Sequence, residues 1–237
     1  AGSGTAAAGL LARGFAMPAA GAGADAGAGA AAPQRRVRLG VVGCGGRGAW
    51  IARLFQQHGG YDLWSVADYF PEVAHACGDA LGVSGERRFS GLSGFRRVFE
   101  SGVEAVALET PPWFFPEHVA AAVDAGLHVY VAKPVGVDVP GVMAVDAAAR
   151  RATAAGRVFL VDYQVPTDPH NAEVARRIRA GEIGPVQMLD SHYFSGLFTD
   201  PPKTDTIESR LRSLVWVNDN DLGGGYHVNA CIHAVHA

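Results

Sequence analysis

Three groups of residues in this chain could do chemistry together: a glycine run able to cradle an anion, a carboxylate able to hold a sugar hydroxyl, and a lysine fixed at a strand end. The run Gly43-Cys44-Gly45-Gly46-Arg47-Gly48 follows the apolar stretch from Val37 to Val42 and opens the helix-like Ala49 to Phe55. In such a pattern Gly43 permits a tight turn, Gly45 lets the backbone approach a pyrophosphate, and Gly48 lets the helix pack closely on the strand. Free N–H groups and the helix dipole favour negative charge there. The residues from Gly43 to Gly48, Cys44 through its backbone, are therefore expected to hold a dinucleotide.

Asp68 follows the next strand-like run, Tyr61 to Ala67, at the place of the acid that accepts hydrogen bonds from the adenosine ribose. A carboxylate accepts from a 2′-OH and repels a 2′-phosphate, and Tyr69 and Phe70 bring no positive charge, so NAD is expected over NADP. The plain alternative is that Asp68 caps a helix beginning near Pro71. Open parallel sheets bind ligands beyond the carboxyl ends of their strands. Three segments fall at such ends: Thr110-Pro111-Pro112, Ala132-Lys133-Pro134 and Asp162-Tyr163-Gln164. Thr110, Pro111 and Lys133 are expected against the cofactor, and Lys133 and Tyr163 against the substrate. Pro134 biases Lys133 toward an extended backbone.

The elements that must position these groups alternate along the chain. Strand-like Val103 to Leu108, His128 to Val131 and Val158 to Val161 are separated by helix-like Glu117 to Ala125 and Val142 to Ala155. That alternation predicts an α/β fold, a doubly wound parallel sheet over residues 35–164. A second domain is expected to begin at 165. In it Asn171 to Ala180 reads as a helix, Val186 to Tyr193 as a longer alternating strand, and Phe198 to Ile207 as a polar loop. Gly225 to Ala237 reads as a final helix behind a hinge at Gly223-Gly224-Gly225, and on it Asn229 and His233, four apart, would share a face.

The chain has 237 residues, 49% of them hydrophobic and 18% charged, with net charge −3. This is an ordinary globular composition. It gives no electrostatic case for nucleic acid, and Arg35, Arg36 and Arg38 read as solvation of the first strand. No apolar run approaches the roughly 20 residues of a membrane span. Cys44, Cys77 and Cys231 are odd in number and lack metal spacing, so neither a disulfide framework nor a thiolate metal site is expected. His227, His233 and His236 near Asp219 and Asp221 lack the remaining ligands of a helical zinc site or a calcium loop, and no metal is expected. Residues 1–34 are almost wholly small and cannot build a core. They are expected to be either a low-complexity linker or the remnant of an export signal.

Taken in order, the glycine turn, Asp68, Thr110-Pro111 with His118, Ala125 to Val129 leading into Lys133-Pro134, and Asn229 with His233 resemble the Gfo/Idh/MocA family of NAD(P)-dependent oxidoreductases. The resemblance runs from about Arg36 to the C-terminus. It implies a Rossmann domain followed by an α/β domain with a mainly antiparallel sheet, through which such proteins commonly pair into oligomers. It also implies substrates of the sugar and polyol class. Lys133 then takes the place of the lysine of a Glu-Lys-Pro motif beside nicotinamide and substrate, and Asn229 and His233 take the places of an Asp-x-x-x-His pair. Two positions depart from the pattern: Ala132 replaces the glutamate, and Asn229 can orient a hydroxyl but cannot act as a base.

A carbinol oxidation loses a hydride to nicotinamide and a proton to a base. Histidine titrates near neutrality unaided, whereas lysine must be desolvated or set beside positive charge. His233 is therefore expected as proton acceptor and Lys133 as the group polarising the substrate oxygen, an assignment that can be reversed. Two other functions fit the same residues. One is glycoside cleavage through transient oxidation by a retained NAD, which an exported chain would favour; the other is a non-catalytic dinucleotide-binding module. Family members normally continue for longer, so the chain is expected to be a fragment.

Overall fold

The computed structural model describes residues 35–194, 196, 198, 204–212 and 215–235. The leader expectation for residues 1–34 lies outside them, as do parts of the expected loop from Phe198 to Ile207.

Six strands form one parallel sheet: β1 (Val37–Val42), β2 (Tyr61–Asp68), β3 (Arg88–Ser90), β4 (Ala105–Leu108), β5 (His128–Ala132) and β6 (Phe159–Asp162). Their order is β3-β2-β1-β4-β5-β6, with every pairing parallel. The order reverses direction at β1, and a crevice opens there beyond the carboxyl ends of β1 and β4.

Alternation along the strands divides the core into two layers. Leu39 and Val41 of β1 and Ala105 and Ala107 of β4 face helices α1 (Gly46–His58) and α2 (Pro71–Leu81). Val106 and Leu108 of β4 and Val129 and Val131 of β5 face α3 (Gly94–Glu100), α4 (Phe115–Asp124) and α5 (Val139–Ala154). Phe115 and Val119 of α4 are fully buried in this second layer. Burying a side chain of that size contributes about 1.5–3 kcal/mol, and the sum over two layers makes the sheet a rigid frame for the loops at its edge. Helix α1 stops at Gly59, whose left-handed φ of 81° turns its N–H back to the Gln56 carbonyl.

After β6 the chain runs through α6 (Gln164–Thr167) and α7 (Pro169–Arg179), the latter capped by Asp168 accepting from the N–H groups of His170 and Asn171. None of residues 163–194 is buried. The strand expected over Val186 to Tyr193 does not form. Those residues are irregular and exposed, with Met188 and Leu189 each 82% exposed. The physical reason is that a strand needs a neighbour to take up its N–H and C=O groups, and among the described residues no second sheet exists.

Packing resumes with α8 (Ile207–Leu211), α9 (Asn220–Gly223), α10 (Gly225–Ala230) and α11 (Ile232–Val235) around buried Val215, Val217 and Leu222. The expected final helix is two short pieces broken at Cys231, because the Ala234 N–H bonds the Cys231 carbonyl three residues back and tightens the turn. The expected hinge is a packed turn: a Cβ on Gly223 would lie 2.3 Å from the Trp216 carbonyl oxygen. Arg210 anchors this region with two 2.7 Å hydrogen bonds to buried Asp219.

Candidate active site

The glycine turn is fixed by the strands on either side of it. The Gly43 N–H donates to the Ala67 carbonyl and the Glu109 N–H to the Val42 carbonyl, each at 2.8 Å. Gly43 has a left-handed φ of +94°, and a Cβ on it would lie 2.6 Å from the Glu109 carbonyl carbon. A Cβ on Gly48 would come within 1.8 Å of the Gly43 carbonyl oxygen, so the expected close approach at Gly48 is made to the turn itself. Gly45 and Gly46 instead face open space. Gly45 precedes α1 as its N-cap and supplies no side-chain cap, and no acidic residue lies in the first turn. The first N–H groups of α1 are therefore left to an external acceptor, and a pyrophosphate fits them.

A cavity of about 600 Å³ opens at this point. Gly43, Gly45, Gly46, Arg47 and Gly48 line it together with Asp68, Thr110 and Pro111. Of the expected cofactor residues, Cys44 and Lys133 are not in its wall. The Cys44 thiol points into the core, donating to the Ala67 carbonyl at 3.3 Å, while its N–H donates to Asp68 Oδ2 at 2.8 Å. Asp68 Oδ1 accepts from the Phe70 N–H at 3.0 Å. The capping alternative for Asp68 is thereby set aside, since α2 starts from Phe70 with no side-chain cap. Burial raises the Asp68 carboxyl and these N–H groups oppose the rise. Each carboxylate oxygen can accept a second bond, so ribose hydroxyls fit here.

Positive charge, expected to be missing at this end, arrives from far along the chain. The Arg212 guanidinium lies 3.8 Å over the Phe70 ring and pairs with Glu72 at 2.8 Å. Tyr69 donates to Glu208, closing the same wall. At the opposite end of the turn, the Thr110 hydroxyl meets His118 Nδ1 at 3.3 Å. Burial and Arg96 push His118 down to about 4, so it is neutral at physiological pH.

Lys133, Asn229 and His233 gather at the ends of β5 and β6. Lys133 Nζ donates to the Asn229 backbone carbonyl at 2.7 Å, and its peptide bond to Pro134 is cis. Burial and then Arg47 push the Lys133 amine down to about 8, against the pull of Asp162. The His233 imidazole stacks on Tyr193 with centroids 5.0 Å apart. Burial, then the charges of Lys133 and Arg47, lower His233 below its ordinary value. Tyr163 is half-buried at the same edge, and burial raises its hydroxyl.

The most consequential groups absent from the sequence-derived set are carboxylates. Arg47 reaches away from the turn to Asp162 and, with Nε, to Glu109 Oε2 at 3.3 Å. The Glu109 side chain is fully buried, neither oxygen has a hydrogen bond, and burial raises it to about 7. A charged residue closing the four-residue apolar strand Ala105–Leu108 was the available signal. Among the described residues no group of three potential metal ligands occurs, and no helix is long and apolar enough to cross a membrane.

A family model described as an oxidoreductase family with an NAD-binding Rossmann fold, Gfo/Idh/MocA, matches residues 37–163. Over 191 residues the chain is 28% identical to inositol 2-dehydrogenase of Ralstonia nicotianae, covering 78% of this chain and 55% of that protein. The chain spans about half the length of that relative. The crystal structure of the WlbA dehydrogenase from Bordetella pertussis in complex with NADH and UDP-GlcNAcA is 26% identical, with TM-score 0.54 over 63% of this chain and 44% of that one. Aldose-aldose oxidoreductase from Caulobacter crescentus, complexed with glycerol, is 24% identical and has the same fold, with TM-score 0.67 over 85% of this chain and 56% of that one. Sheet order, glycine turn and family match agree, and the chain belongs to the Gfo/Idh/MocA family of oxidoreductases.

Proposed function

We propose that the protein is an NAD-dependent dehydrogenase acting on a secondary hydroxyl of a polyol or sugar. One observation carries this reading: Arg47, a residue of the dinucleotide turn, is bonded to Asp162 at the strand ends where Lys133 and His233 lie. Through this bond the turn and the expected proton-handling groups would belong to one connected site. The relative named inositol 2-dehydrogenase and the NADH-bound neighbour support the substrate class and the cofactor.

Bound NAD would supply the hydride acceptor. The remaining work falls to side chains of this chain. Lys133, with its value near 8, is mainly an ammonium at neutral pH and would hold and polarise the substrate oxygen. His233, lowered and so neutral there, would take the hydroxyl proton. Asn229 and Tyr163 would orient neighbouring hydroxyls. Preference for NAD over NADP rests on the Asp68 carboxylate, because the nearby Arg212 is already neutralised by Glu72.

The test is absorbance of NADH on adding NAD with myo-inositol and a panel of free sugars. Net NADH formation supports the proposal. Glycoside cleavage without net NADH would replace it with transient oxidation by a retained cofactor.

A further inference from the structure

Three neighbouring strands end in a row. Leu108 of β4 is in register with Val131 of β5, and Ala132 with Asp162 of β6. Glu109, Ala132 and Asp162 therefore occupy successive register places across the sheet, just beyond or at its carboxyl edge. The middle place holds only a methyl group, and Arg47 spans the flanking carboxylates. Those carboxylates are not equivalent. Glu109 is fully buried with Arg47 Nε at 3.3 Å, whereas Asp162 is hydrogen-bonded to Arg47 Nη2, and burial and then its charge raise the Tyr130 hydroxyl. The Asp162 side chain is 11% exposed, so its charge is weakly screened.

We propose that Asp162 is a positioning residue of the site, holding Arg47 at the strand ends and setting a negative charge one place from Lys133. The groups facing Lys133 are Arg47 from α1, Asp162 from β6, the Asn229 carbonyl from α10 and His233 from α11. Arg47 opposes a second positive charge; Asp162 is the carboxylate that favours it. Without Asp162, Arg47 would keep Glu109 as its partner, and Lys133 would lose the carboxylate that favours its charge. The consequence for turnover rests on the dehydrogenase reading, but the effect on Lys133 does not.

The experiment follows the reactivity of Lys133 toward acetic anhydride against pH, by peptide mass spectrometry, in the full-length protein and in Asp162→Asn, Asp162→Ser and Asp162→Glu. The two neutral variants are expected to lower the Lys133 midpoint by about one unit, about a tenfold change in its neutral fraction near pH 7. Asp162→Glu keeps the charge and is expected to keep the wild-type midpoint. In turnover, the limb of the kcat profile assigned to Lys133 should move with it. An unchanged Lys133 midpoint in a folded neutral variant overturns the proposal. So does failure of both neutral variants to fold while Asp162→Glu folds, which would assign Asp162 a purely structural role. Absence of NAD affinity in the wild-type protein would overturn the dehydrogenase reading and leave the labelling comparison standing.

Discussion

Lys133 Nζ lies 2.7 Å from the backbone carbonyl of Asn229, a residue 96 positions further along the chain. This bond ties the end of β5 to the last helices and makes the candidate site a joint product of the sheet and the segment that follows it. Lys133 is outside the wall of the dinucleotide cavity, so its removal should separate binding from turnover. Lys133→Met is expected to retain NAD affinity by calorimetry and to lower kcat by about a hundredfold or more. Near-normal turnover would remove Lys133 from the reaction.

Glu109 makes stability depend on pH in the direction opposite to that of most paired carboxylates. Its folded value, raised to about 7 from the ordinary 4.5, means that the folded protein still holds a proton the unfolded chain has released. The stability of burying Glu109 is fully present below about pH 4.5 and falls as pH rises to about 7. Glu109→Gln has no proton to lose there. Denaturant unfolding should show the variant gaining on wild type by roughly 3 kcal/mol across that interval. A difference that does not vary with pH contradicts a Glu109 carboxyl raised by burial.

Gly48 leaves no room for a side chain, since its Cβ would stand 1.8 Å from the Gly43 carbonyl oxygen. Gly48→Ala is expected to displace the turn, costing about 1–3 kcal/mol or more in thermal stability and abolishing measurable NAD binding. Gly45→Ala, facing open space, should leave stability unchanged and weaken only the nucleotide. Equal effects of the two substitutions on stability would contradict the geometry.

Two carboxylates bear on the proposed preference for NAD. Asp68→Ala removes the acceptor for the ribose hydroxyls and should shift the ratio of NAD to NADP affinity toward NADP. Glu72→Gln releases Arg212 over Phe70 and should shift it the same way without disturbing the bond from Cys44 to Asp68. Affinities for both nucleotides measured in both variants check this, and an unchanged ratio in each counts against the assignment.

Most of the sheet is legible in the sequence because its strands are apolar runs separated by helical periods and glycine stops. β3 is not, since only Phe89 in its three residues is buried. Val186 to Tyr193 shows the opposite limit: alternation encodes a face to be covered, and among the described residues no pairing partner stands beside it. The glycine turn, Asp68 and Lys133 stand out as candidates because their signals are local. The pairing of Arg47 with Glu109 and Asp162, and of Arg212 with Glu72, does not, because those partners are brought close only by register and by the packing after α8.

A dinucleotide is expected to lie across the crevice at the carboxyl ends of β1 and β4. Calorimetric titration of NAD into full-length, folded protein first stripped of nucleotide tests it directly. Saturable binding of one NAD per chain, weakened by Gly45→Ala, is the predicted result; no heat of association with either NAD or NADP would contradict the account.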